Sequence, residues 1–185
     1  MEKRITTPLT KDTISELKAG DSVLLSGIIY TARDAAHKRM VEDYEKGIDF
    51  PFDLKGQIIY YAGPCPAKPG EVIGSCGPTT AGRMDKYTPL LLEHGLSGML
   101  GKGARSVEVC TAIVENNCVY LGAIGGAGAL IAESIKSAEV IAYPELGTEA
   151  VRKLYVEDLP CVVLYDSCGS DLYKEGQAKF NRLKG

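Results

Sequence analysis

What most restricts the folds open to this chain is the order of its apolar segments, in which short aliphatic strands run through glycine-containing loops into helices. From residue 96 onward, LSGMLGKG reads as a strand, ARSVEVCTAIVENN as a helix, CVYLGAIGG as a strand and AGALIAESIKS as a helix. Alternation of this kind belongs to α/β architecture built from βαβ-type units. The pattern starts earlier. SVLLSGIIY, residues 22–30, alternates and is rich in aliphatic residues, and RDAAHKRMVEDYEKG after it has helical composition and ends on a glycine.

Between these regions the order is less regular. A proline-containing passage, DFPFDLKG, leads into a strand, QIIYYAG, and PCPAKPGE turns sharply before EVIGSCGP returns, which predicts a hairpin-like pair. RMDKYTPLLLEHG has apolar positions spaced along one helix face, with Gly95 as its stop and Pro89 disturbing its first turns. Toward the end, AEVIAYPE precedes AVRKLYVEDLP, whose pairing the pattern leaves open. CVVLYDSCG then reads as a core strand and DLYKEGQAKFNRLKG as a polar terminal helix. No internal repeat or low-complexity linker interrupts the chain. At 185 residues it is long enough for one good core and too short for two, so residues 1–185 are expected to form a single layered β and α domain.

Charge and composition exclude several classes of function. With a formal net charge of -3, nothing draws the whole molecule toward nucleic acid or an acidic membrane, and an anion site has to be built locally. No apolar run approaches the ~20 residues of a membrane span. The start, MEKRITTPLT, lacks the apolar stretch of a secretion signal, so a cytoplasmic location is expected. Six cysteines, at 65, 76, 110, 118, 161 and 168, show no C-x-x-C spacing, so no metal centre or disulfide is expected within this chain alone. Cys76 and Cys168 fall in expected loops, whereas Cys110, Cys118 and Cys161 lie among apolar residues and read as core.

Three strand-end segments each carry a cation. Arg33, in RDAAHKR, stands where a strand meets a helix and offers a planar fork to a carboxylate beside the positive helix start; the plain alternative is a solvated first turn capped by Asp34, with Lys38 and Arg39 in water. GPTTAGRMD, residues 77–85, joins backbone N–H groups, the hydroxyls of Thr79 and Thr80, and Arg83, a set that suits a small dianion. As an ordinary turn with a threonine N-cap, the same segment leaves Arg83 without a task. In GKGAR, Lys102 is placed to neutralise a second carboxylate, although an exposed lysine between glycines is also common.

Other segments carry less chemistry. Neither His37 nor His94 has a partner histidine at ligand spacing, and both read as hydrogen-bonded structural residues. GAIGGAG, residues 122–128, misses the G-x-G-x-x-G spacing of a dinucleotide site and is better explained by close helix–strand packing. YDSCGSD, residues 165–171, reads as a turn and helix cap, because no base accompanies Cys168. Three cationic loops at one edge of an α/β sheet together point to a small, multiply charged organic anion, with the chemistry completed elsewhere.

RDAAHKR, AGPCPAKPGE, GPTTAGRMDKY, GKGAR and LGAIGGAGAL, in this order over most of the chain, resemble the β subunit of class I, iron–sulfur-dependent fumarate hydratases and their tartrate dehydratase relatives. That resemblance implies a swivelling β/β/α fold and a hydro-lyase activity expressed only with a partner α subunit. Three cysteines of that partner hold a [4Fe–4S] cluster with one open iron, and no cofactor is bound by this chain. The opening ITTPLT is like that of separate β subunits, which implies an α2β2 assembly. By motif, the resemblance makes Arg33, Arg83 and Lys102 the binders of substrate carboxylates and Thr79 the base. A hydroxyl needs activation by a partner carboxylate and the local field for that task. Ala81-Gly82 is closer to the fumarase form of the motif than to the tartrate form, so fumarate and malate are the expected substrates and L-tartrate the alternative. A separate small-anion-binding domain is the remaining reading from a different class.

Overall fold

The computed structural model describes residues 2–123 and 127–180. Its order is β1 (Glu2–Thr6), α1 (Lys11–Glu16), β2 (Ser22–Thr31), α2 (Asp34–Glu45), β3 (Ile58–Tyr60), a 3-10 turn (Ala81–Met84), α3 (Thr88–Glu93), β4 (Gly98–Gly101), α4 (Val107–Glu115) and β5 (Val119–Gly122). There follow α5 (Gly128–Ser134), β6 (Ile135–Ala142), a second 3-10 segment (Pro144–Glu149), β7 (Val151–Tyr165) and α6 (Leu172–Phe180). The α/β expectation holds: strands and helices alternate, and β1 to β5 are parallel neighbours in chain order.

The antiparallel β7 closes this row. It pairs with β6 on the outside, with β5 through Val162–Tyr165 and with β2 through Arg152–Val162, so β2, β3, β4, β5 and β7 form a circuit with no free edge. Period-two alternation then sorts the side chains. Leu25, Ile29, Ile58, Tyr60, Leu100, Leu121, Val156 and Val163 point into the circuit and pack together. Their neighbours Ile59, Met99, Tyr120 and Leu164 face outward, where Met40 of α2, Leu91 of α3 and Val109 and Ile113 of α4 cover them. Each such side chain contributes roughly 1.5–3 kcal/mol through burial, and the two clusters fix the directions in which the strands end.

Several details differ from the sequence expectation, among them the helix expected over AGALIAESIKS, which ends at Ser134 and gives its last three residues to β6. AVRKLYVEDLP, left without a partner, forms one strand with CVVLY. That strand passes through Pro160, opposite Leu24, because Asp158 takes a left-handed conformation (φ 49) beside a register shift at Leu25/Gly27. The expected hairpin is not a ladder. β3 pairs with its parallel neighbours, and the returning limb is held by the Ala62–Pro78 bridge and by the Cys65 N–H donating to the Ser75 carbonyl at 2.9 Å. Finally, α3 starts only at Thr88, with Pro89 in its first turn, where the missing N–H costs nothing. No helix among the described residues is long and apolar enough to cross a membrane.

Candidate functional site

Because β2 to β5 are parallel, the loops that follow them share one edge of the sheet, and the expected cations lie there. Arg33 is the N-cap residue of α2, in extended conformation. Its carbonyl accepts from the N–H and Nδ1–H of His37 at 2.8 and 2.9 Å, which ties the start of α2 to a buried ring. Its guanidinium lies over Gly63, where a Cβ would stand 2.7 Å from Nη1, so any larger residue there has to displace the guanidinium. Nη2 is 3.6 Å from Glu149, whose other oxygen accepts from the Ala35 N–H at 2.9 Å.

Asp34 joins the first two motifs. One of its oxygens is 2.9 Å from Arg83 Nε and the other 3.9 Å from Arg33 Nε. It is the first residue of α2 and not its cap, so the reading of this segment as a plain capped turn does not hold. Lys38 and Arg39 are exposed as that reading has them, paired along the helix with Glu42 and Asp43. The threonine N-cap reading fails as well. Thr80 precedes the 3-10 turn without a side-chain cap bond, and Thr79 donates both its N–H (2.7 Å) and its hydroxyl (2.9 Å) to the Tyr61 carbonyl. The Thr79 proton is thus directed into the protein and the oxygen lone pairs are left to the site. Lys102 joins through the backbone. Its N–H donates to the Thr79 carbonyl at 3.3 Å and its carbonyl accepts from Ala81 at 2.9 Å, while its side chain is exposed. The structure therefore links Arg33 to Arg83 through a carboxylate, and Thr79 to Lys102 through main-chain bonds.

Beneath this layer lies Arg105, named in the GKGAR motif but given no role there. Its side chain is 0% exposed. Nε donates to Asp85 at 2.7 Å, Nη2 to Thr88 at 2.9 Å and to the Tyr61 hydroxyl at 3.3 Å, and the guanidinium also lies over the Tyr61 and Tyr120 rings. Asp85 in turn accepts from the Ser106 N–H at 2.6 Å. This pair bolts the Arg83 loop to the Lys102 loop. Asp85, Arg105 and Glu149 are the residues sequence reasoning missed. Asp85 and Arg105 stand inside quoted motifs, but nothing local marks them as partners, and Glu149 has no local signal at all.

Both histidines are structural, as expected. His37 is fully buried against Tyr61 and Tyr87, and burial pushes its pKa down to about 4. His94 donates to the Leu90 carbonyl and bonds the Tyr44 hydroxyl. Asp166 accepts from Ala19, Cys168 and Ser170, and Asp171 caps α6, in line with the turn-and-cap reading. The glycine-rich segment packs closely at both described ends, since a Cβ at Gly122 would stand 2.6 Å from Leu164 and one at Gly128 2.5 Å from Ser75. Residues 124–126 between them lie outside the described residues.

Residues 2–176 match the family described as Fumarase C-terminus. The chain belongs to that family. Among relatives of this fumarase C-terminal domain, the anaerobic class I fumarate hydratase of Escherichia coli K12 is 44% identical over 164 residues, which is 88% of this chain and 30% of the relative. Fumarate hydratase 2 of Leishmania major is also 44% identical, over 88% of this chain and 29% of its own length. The chain thus spans less than a third of these fumarate hydratases. A protein of Methanocaldococcus jannaschii named putative L(+)-tartrate dehydratase subunit beta is 40% identical, over 92% of this chain and 91% of its own.

The cysteines of this fumarase C-terminal domain do not fit an iron–sulfur cluster. Such a group takes several convergent thiolates, and among the described residues no three His, Cys, Asp or Glu side chains converge. Burial pushes the Cys76, Cys118 and Cys161 thiols up to about 12. Cys76, expected in a loop, is in one yet packs into the core, and Cys110, expected in the core, is only half-buried.

Proposed function

We propose that this chain is the cluster-free half of a hydro-lyase that reversibly hydrates fumarate to (S)-malate at a site shared with an α subunit. The observation that carries this reading is the meeting of Arg33, Arg83 and the Lys102 loop at one sheet edge, with neither guanidinium fully engaged among the described residues. In the proposal residues 1–185 act as one swivelling β/β/α domain, in a cytoplasmic α2β2 assembly. The [4Fe–4S] cluster belongs to the α subunit and, when bound, supplies Lewis-acid chemistry at the departing hydroxyl.

The residues of this chain bind and orient the substrate. Arg33, Arg83 and Lys102 hold the carboxylates, and their donors become more valuable as negative charge builds on the carboxylate next to the carbon that loses its proton. Thr79 stands at the position of the base. Its proton points at the Tyr61 carbonyl, so to act as base Thr79 first has to pass that proton to a carboxylate supplied by the partner, and the resulting alkoxide takes up the substrate proton. L-Tartrate is the second reading, supported by the Methanocaldococcus relative, which this chain matches over nearly its whole length.

The test is anaerobic hydration of fumarate, followed by its ultraviolet absorbance, with this chain alone, the cluster-loaded partner alone and the two mixed. Activity only in the mixture, lost in Arg83→Ala with the complex intact, is the expected result. Activity of this chain alone would sink the shared-site reading, and a mixture that dehydrates tartrate but leaves fumarate untouched would replace it with the second.

A further inference from the structure

Asp34 stands between the two arginines, and the binding of substrate carboxylates leaves it without a task. Its Oδ1 is 2.9 Å from Arg83 Nε and its Oδ2 3.9 Å from Arg33 Nε. The arginines come from separate parts of the chain, one at the N-cap of α2 and one in the 3-10 turn Ala81–Met84. A carboxylate here reduces positive charge where an anion is to bind, so long-range electrostatics argues against its presence.

Geometry supplies the argument in its favour. The Arg83 side chain is 52% exposed, and its ion pair among the described residues runs through Nε to Asp34. A long side chain left loose on a turn has to lose about 2 kcal/mol of rotamer entropy when it binds, and an ion pair at Nε removes part of that loss beforehand. Held at Nε, a guanidinium still has its Nη end for a two-bond fork onto a ligand carboxylate. Arg33 Nε and Asp34 Oδ2 add a second observation. Both atoms are buried and make no hydrogen bond among the described residues, and at 3.9 Å they are too far apart to satisfy one another. A buried donor and acceptor left open side by side are expensive in a folded protein, and here they flank the ion pair that orients Arg83.

We propose that Asp34 is a positioning residue: its ion pair at Nε holds Arg83 with the Nη end toward one carboxylate of a dicarboxylate ligand. This inference rests on the fumarate-site reading above. Asp34 touches no substrate in this arrangement and acts through Arg83. Its negative charge is tolerated because it binds the edge of Arg83 that the ligand does not use.

The experiment compares wild type, Asp34→Ala, Asp34→Asn and Asp34→Glu in the complex with the cluster-loaded partner, by steady-state hydration of fumarate and by the melting temperature of each complex. Positioning predicts that Asp34→Ala raises KM on the order of tenfold, more than it lowers kcat, at a near wild-type melting temperature. Asp34→Glu recovers part of the loss. Asp34→Asn preserves the shape if the alanine variant does not assemble, and it raises KM in the same direction by less. A KM that stays the same overturns the proposal, and a lower KM overturns it by showing that Asp34 only screens the cations. A lower melting temperature at unchanged KM also overturns it, reducing Asp34 to a helix-start residue. A wild-type complex inert to fumarate overturns the functional reading instead and takes this proposal with it, so the two failures are told apart.

Discussion

Arg105→Met separates the scaffold beneath the site from the site itself. Methionine keeps the apolar stem and much of the volume but removes the charge, the 2.7 Å bond to Asp85 and the bonds to Thr88 and Tyr61. Asp85, only 13% exposed, is then left with the Ser106 N–H as its partner. Stranding one member of a buried pair costs about 3–5 kcal/mol. In a domain of this size each kcal/mol lowers the melting temperature by about 2–4 °C, so a fall of roughly 6–20 °C is expected. Thermal melts followed by circular dichroism measure it. The double variant Arg105→Met/Asp85→Leu should melt above Arg105→Met, because no charge remains stranded. A single variant that melts within about 2 °C of wild type would refute the idea that this pair holds the two loops together.

Two further outcomes follow from the same geometry. The pKa of His37 is lowered to about 4 by burial, so its neutral form stabilises the fold above the ordinary value of 6.5 and that stability is lost as pH falls toward 4. The loss amounts to roughly 3 kcal/mol; urea midpoints at pH 7.5 and 5 should therefore differ more for wild type than for His37→Gln, and equal differences would contradict the assignment. Gly63→Ala puts a Cβ 2.7 Å from Arg33 Nη1 and displaces the guanidinium. Its complex should show KM for fumarate raised about tenfold, with the melting temperature little changed, and an unaltered KM would mean that Arg33 does not bind from this position.

The parts of the fold that were legible in the sequence are those whose reasons are local. β2, α2, β4, α4 and β5 announce themselves by aliphatic alternation or helical spacing between glycines. Only the second half of β7, CVVLY, was legible; its first half was left unpaired, since Asp158 and Pro160 break the pattern and only pairing with the distant β2 carries the strand through them. The hairpin expectation failed for a related reason: EVIGSCGP follows a sharp turn, yet β3 already has parallel neighbours on both sides. At the site, Arg33, Arg83 and Lys102 were visible as cations at strand ends. Their counter-charges were not, because Asp34 looked like a cap, Glu149 arrives from a distant segment, and the burial of Arg105 depends on rings contributed by three strands or their flanks.

The closed circuit of strands has a consequence for how the chain reaches its folded state. β1 to β5 leave the ribosome well before β7, yet β7 is the strand that seals β2 to β5 and completes the inner core. Until it emerges, the nascent sheet presents two unpaired edges and an open apolar interior, the condition in which chains stick to one another. Sealing joins segments far apart in sequence, which places this domain among slow folders of high contact order. A chain cut short of Val151 would retain every proposed substrate-binding cation and still lack the strand that closes the sheet beneath their loops.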